Sequence, residues 1–284
     1  MKTTYLSILY LTIFLAALCA PSIQAQVTIT NSLDSGNLIS TSGTGNDSYA
    51  TTYNNMGGDL LAVVMTVGSV GNLNLPTNGT GISVSFDSVA VPIISAFDSG
   101  YGNSSFFSSI YILETPSAGS ASLNFDFGTN ITDGVLSDNN TSTWRLGVFS
   151  LGNVDPTNPI IITDLMATAG ETYSDPLISA GDFFLQGQAA FGDFGTPTNY
   201  STSAGSETSF YDAQSVNGSR SFQVEYGSLV AGDLVGTSVT FSSDGDTRSS
   251  SRRPTVIINA IPEPSSLVLL LSALAGWVFL RRRN

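Results

Sequence analysis

The sequence predicts an all-β protein, a sandwich of jelly-roll type. Three observations lead there. Short runs of β-branched and aromatic residues recur along the chain, separated by clusters of Gly, Ser, Thr, Asn and Asp, the pattern of strands and their turns. Outside one apolar run at each terminus, no window of helical length keeps a 3.6-residue apolar period. The roughly 235 residues between those runs are ample for one sandwich domain and contain no cysteine, so the fold must rest on its core rather than on disulfides.

The first element is a targeting segment. Lys2 precedes an uncharged run from Tyr5 to Ala20, Pro21 breaks that run, and Ile23-Gln24-Ala25 ends on a small residue. This reads as a secretory signal peptide, residues 1–25, cut between Ala25 and Gln26. Cys19 follows Leu18, where a lipoprotein signal needs a small residue, so plain cleavage rather than lipidation is expected.

Strands then follow in order. Val27 to Thr30 opens the body, residues 26–260, and Leu60 to Val67 is nearly continuous apolar sequence. Such a run reads as a central strand with both faces covered, because its apolar residues do not alternate. Ile82 to Phe86 alternates cleanly, and the Asp87-Ser88 turn before Val89 makes a hairpin. Pro92, which has no N–H to give a ladder, predicts an edge or a bulge in the second arm. Further strands are predicted at Phe106 to Leu113, Ala121 to Phe127, Trp144 to Ser150, Ile160 to Thr163 and Phe183 to Ala190. Ser221 to Tyr226, Ser238 to Phe241 and Thr255 to Asn259 complete the set, and no internal repeat of fixed period is visible.

The last element begins at Ile261. Pro262-Glu263-Pro264 holds an extended entry that cannot continue a helix, and Ser265 leads into an uncharged run ending at Leu280. As a helix, residues 265–280 span about 24 Å against a hydrocarbon core of about 30 Å. Snorkelling side chains and local thinning of the bilayer can close that gap. Arg281, Arg282 and Arg283 then set the orientation, with the C-terminus cytoplasmic and residue 261 outside. The six residues from Ile261 to Ser266 reach at most roughly 20 Å, so the folded body is expected close against the bilayer.

In this order, the tripeptide, the short apolar helix and the arginine cluster resemble the PEP-CTERM sorting signal of exported bacterial proteins. The resemblance covers residues 261–284. It implies an exosortase-type membrane enzyme as processing partner, Pro262, Glu263 and Pro264 as the sorting motif, and Arg281, Arg282 and Arg283 as the membrane-stop cluster. It further implies a transient membrane anchor, a final place at the cell surface or in the extracellular matrix, and association with exopolysaccharide.

Between Gly58 and Ala260 the body is similar to β-sandwich modules of secreted bacterial surface proteins. The likeness rests on Leu60-Leu61-Ala62-Val63-Val64, Val84-Ser85-Phe86, and Ile110 to Leu113 followed by Pro116 and Gly119. Gly152-Asn153-Val154-Asp155 leading to Pro159, Ala180-Gly181-Asp182 before a strand, and an Arg-containing turn before the last strand complete it. It implies adhesive or scaffold-like surface roles and no established catalysis.

Composition narrows the chemistry. The chain has 22 acidic and 9 basic residues and no histidine. Setting aside Glu263, Lys2 and the terminal arginines leaves a body of 21 acids and five arginines, which repels nucleic acid and anionic lipid. Lacking His, Cys and Lys, the body cannot build a Ser-His-Asp triad, a Cys-His dyad, a His/Cys zinc site or a Ser-Lys pair. Carboxylate chemistry remains. Asp34-Ser35-Gly36 and Asp98-Ser99-Gly100 match an aspartic-protease loop superficially, and equally an ordinary turn. Glu114, Glu171, Glu207 and Glu225 are the glutamates available to a two-acid glycosidase; most read as solvated strand-end or loop charges.

Asp244-Gly245-Asp246 could hold a structural calcium, but its spacing matches no full calcium loop, and Arg248, Arg252 and Arg253 offer a salt-bridged turn instead. No cofactor is expected. Exposed rings for sugar binding would come from Trp144 or from the loop between Phe191 and Tyr200, each also explained by burial or by a glycine-rich connection. The sequence therefore predicts a non-enzymatic, exported structural or adhesive β-sandwich. The alternative is a carbohydrate-active protein, either a sugar-binding module or a two-carboxylate hydrolase.

Overall fold

The computed structural model describes residues 25–36, 38–40, 48–70, 82–101, 104–126, 142–167, 171–174, 177–191, 200–202, 205–214, 220–229, 238–243 and 253–261. The chain separates into two units, Gln26–Ala260 in one and Met1–Ala25 with Ile261–Asn284 in the other. Residues 1–24 of the signal peptide and the apolar run 267–280 lie outside the described residues. Among the described residues every regular element is a strand, and no helix is long and apolar enough to cross a membrane.

The all-β sandwich is borne out, and it has three stacked layers. The middle sheet runs, in spatial order, β1 (Thr28–Asp34), β10 (Ser142–Gly152), β4 (Leu60–Val70), β8 (Ser104–Glu114) and β7 (Ile93–Tyr101); β2 (Leu38–Ser40) also pairs with β10. One outer sheet consists of β3 (Ser48–Asn55), β9 (Gly119–Asp126), β5 (Ser83–Phe86) and β6 (Val89–Ala90). The other orders β11 (Ile160–Ala167), β18 (Arg253–Ile258), β13 (Phe183–Phe191), β16 (Arg220–Leu229) and β15 (Gly205–Gln214). A small sheet of β12 (Glu171–Ser174), β17 (Ser238–Ser243) and β14 (Tyr200–Thr202) meets it where β14 lies against β15.

Strand β4 explains the layering. Successive side chains of a strand point to opposite faces. Leu60, Ala62 and Val64 enter one core with Phe183, Leu185, Val224, Val256 and Ile258. Leu61, Val63, Met65 and Val67 enter a second core with Val84, Phe86, Leu123 and Phe125. The unbroken apolar run predicted a strand covered on both faces, and its covers are the two outer sheets. β10 is divided the same way, Phe149 and Leu151 into the first core and Leu146 and Val148 into the second. Gly187 marks a close approach of the layers, since a Cβ there would meet Ser108 Oγ and Val64 Cγ1 at 2.6 Å.

The predicted hairpin forms between β5 and β6, with Ser85 opposite Ala90 and Phe86 opposite Val89. Asp87 and Ser88 both take positive φ, 52° and 65°, as a two-residue turn that matches strand twist requires. β6 is an edge strand, and at Val91-Pro92 the chain leaves the outer sheet for the middle one, where β7 carries a bulge between Ile93 and Ser95. Pro92 keeps a role as acceptor, its carbonyl taking the Ile112 N–H at 2.9 Å.

Candidate functional site

The chain is held firmly up to the point at which the body ends. β18 pairs with β13 on one side and β11 on the other as far as Ile258. Beyond it the ladder stops, yet the chain remains held. The Asn259 N–H donates to Pro159 O at 2.9 Å, and Asn259 O accepts the Asp155 N–H at 2.9 Å. The Asn259 side-chain amide donates to Asn158 O at 3.1 Å and to Asp155 Oδ2 at 3.5 Å. Ala260 pairs antiparallel with Val154 and gives its N–H to Asp182 Oδ1 at 2.9 Å. Ala260 is buried at 5 % exposure, whereas Ile261 reaches 36 %. The body therefore ends sharply, two residues before Pro262.

Asp182 is fully buried between the Ser179–Gly181 turn and β13. Its second oxygen, Oδ2, accepts the Ser179 N–H at 2.7 Å, and its backbone carbonyl accepts the Leu229 N–H at 2.7 Å. Burial pushes its carboxyl up to about 6 against the opposing pull of the Ala260 and Ser179 donors. Asp155 is the contrary case. The Thr157 hydroxyl and N–H, at 2.7 and 2.8 Å, stabilise its ionised form and hold it below the usual carboxylate range.

The start of the body is fastened to the same two loops. The Val27 N–H donates to Gly181 O at 3.0 Å, and Asn153 Nδ2 donates to Gln26 O at 3.1 Å. Val27, Val154 and Ala260 share one core cluster. Beside Val154 opens a cleft of about 280 Å³ whose rim includes Asp59, Glu114, Asp155, Pro116, Pro156 and Pro159. Asp59 spends a carboxylate oxygen on the Val154 N–H at 3.3 Å, while Glu114 is exposed.

The other residues singled out from the sequence are dispersed. Asp34 and Asp98 lie on β1 and β7, the two edges of the middle sheet, with three strands between them. At about 4.8 Å per strand they are roughly 19 Å apart, too far to share a proton. Asp34 instead forms a two-pronged salt bridge with Arg145 and accepts the Gly36 N–H at 2.9 Å. Burial raises its carboxyl, but these donors and the arginine charge outweigh that and leave it lowered. Exchanging Arg145 for Ala is expected to cost about 0.5–1 kcal/mol, read from urea denaturation, because the pair is only partly screened from solvent.

Glu171 opens β12 and Glu207 lies in β15. Glu225 sits within β16 opposite Gln186 on one side and Ser209 on the other. Trp144 lies on β10 between Leu38 and Val67. Residues 192–199 of the ring-bearing loop, Asp244 and Asp246, Arg248 and Arg252 are outside the described residues. Among the described residues no three acids come together as a metal cluster.

Pro262, Glu263, Pro264, Arg281, Arg282 and Arg283 also lie outside the described residues, and comparison with known proteins bears on that stretch. Residues 260–283 match the PEP-CTERM protein-sorting motif. The chain carries a PEP-CTERM sorting signal. Because such signals are recognised by exosortase, this is an exported protein with that kind of enzyme as partner and a surface or extracellular fate. The match begins at Ala260, the last residue that the body holds. No curated protein and no solved structure matches the chain.

The sequence pointed to the sorting signal but not to the groups that fasten the chain in front of it. Its signals were present. Gly152 to Asp155, Pro159 and Ala180 to Asp182 stood out as marks of topology, and they supply most of the bonds at the exit.

Proposed function

We propose that this protein is a non-enzymatic structural or adhesive component of the bacterial surface or extracellular matrix, delivered as a processed precursor. The signal peptide 1–25 directs export and is cut between Ala25 and Gln26. The apolar segment 265–280, stopped by Arg281, Arg282 and Arg283, anchors the precursor transiently, and exosortase cuts within or beside Pro262-Glu263-Pro264. The freed β-sandwich then associates with exopolysaccharide. The observation that carries this reading is the PEP-CTERM match, which begins at the last tethered residue. A cut at the tripeptide leaves every described strand and its hydrogen bonds whole.

Replacing Pro262, Glu263 and Pro264 with Ala is expected to leave export intact and to retain a full-length membrane precursor. Mass spectrometry of wild-type protein from a host with the sorting enzyme should find a C-terminus at or near the tripeptide and no Arg281. Wild-type protein intact to Asn284 in that host would reduce the tail to a plain anchor.

A further inference from the structure

We infer that Asp182 is a positioning residue for the sorting reaction: by holding the Ala260 N–H it fixes the point at which the chain leaves the body and presents the tripeptide to the enzyme. The inference rests on the proposed processing at residues 262–264 and adds a residue 80 positions upstream to it.

The geometry carries the argument. Asp182 has no exposure, and its two carboxylate oxygens are shared between the Ser179 and Ala260 N–H groups, at 2.7 and 2.9 Å. Burying a carboxylate is costly, and here the cost is offset by two backbone donors that an apolar residue would leave unpaired. What the carboxylate provides is an acceptor at one defined place for one backbone donor, the last N–H before the chain becomes exposed. Asn259 is already held through its backbone by Pro159 and Asp155, so Ala260 is fixed from two sides. With Ala260 fixed, only Ile261 separates the held chain from Pro262 in sequence. If Ala260 is released, the freedom of Ile261 and the tripeptide grows by a residue or more, and a reaction that depends on placement slows.

The turn that supplies Asp182 also takes the Val27 N–H through Gly181, so the holding point is built partly from the first residues of the body. The exit is thus fully assembled only when residues 26 and 27 are seated. The tripeptide is then presented by a completed fold rather than by a nascent one.

The test follows precursor-to-product conversion of the full chain by pulse-chase in a host that contains the sorting enzyme. The C-terminus is mapped by mass spectrometry, and folding of the body is checked by resistance to protease. Asp182→Asn keeps one acceptor oxygen for the two donors and should convert faster than Asp182→Leu, to the same C-terminus. Asp182→Leu removes the acceptor and should slow conversion on the order of tenfold, or scatter the C-termini, with the body still resistant. Should Asp182→Leu fail to fold, Ala260→Pro removes the donor instead, leaves the carboxylate in place and should give the same defect. Normal rate and a normal C-terminus in a folded Asp182→Leu or Ala260→Pro variant would overturn the inference. Failure of the wild-type chain to be cut at all would instead remove the processing reading on which it rests.

Discussion

Replacing Phe149 with Ala is expected to lower the unfolding free energy by about 3–5 kcal/mol, a large part of what a domain possesses. Phe149 lies on β10 with no exposure. Its ring centroid is 4.5 Å from that of Phe210 on β15 and 5.6 Å from that of Tyr226 on β16, and Tyr226 stacks on Phe183 at 5.6 Å. This cluster joins the middle sheet to one outer sheet, and a small residue makes room for it. A Cβ on Gly147 would meet the Phe149 and Phe210 rings at 3.2 and 3.3 Å. Truncation removes aromatic area and leaves a cavity that surrounding strands, fixed by their ladders, cannot close. The loss should appear as a lower urea midpoint in a single transition, because β4 and β10 put side chains into both cores and the three layers must unfold together. Two separate transitions would mean that the layers are independent, and a loss below about 1 kcal/mol would mean that the ring cluster is not packed as described.

What the sequence revealed and what it hid both follow from the period of a strand. Alternation exposes a strand with one wet face, and an unbroken apolar run exposes one that is dry on both, so β4 and the β5–β6 hairpin were legible. Neither pattern says which sheet provides the cover, and the third layer was therefore not foreseen. β3 and β15 were passed over entirely. In Ser48–Asn55 the inward positions are Tyr49, Thr51, Tyr53 and Asn55 among Asn, Ser and Thr, a composition that also spells a loop. Gly205–Gln214 hides in the same way, an edge strand in which Phe210 and Tyr211 stand among small and polar residues. The exit was half legible. A tripeptide and an arginine cluster are contiguous, whereas the bond from Asp182 to Ala260 spans 78 residues and follows from no local pattern.

Stability should rise as the pH is lowered from 7 towards about 4, by on the order of 3 kcal/mol, and Asp182 should be the main cause. Its native carboxyl titrates at about 6, pushed up by burial, while in the unfolded chain it returns to the ordinary 3.8. Between those values the native state binds a proton that the unfolded state does not, so folding is favoured as protons are added. Above pH 6 both states are ionised and the cost of the buried charge is felt in full. Below 3.8 both are protonated and the gain is complete. Asp34 and Asp155 act in the opposite sense, because their native carboxyls lie below the ordinary value and the stability they contribute is lost as pH falls through it. The profile should therefore peak near pH 4 and decline on its acid side. Urea midpoints across pH 3 to 8 measure it, and Asp182→Asn, which cannot ionise, should flatten the limb between 4 and 6 while leaving the acid decline in place. An unchanged limb in that variant would assign the proton to another group and remove the buried charge from the exit.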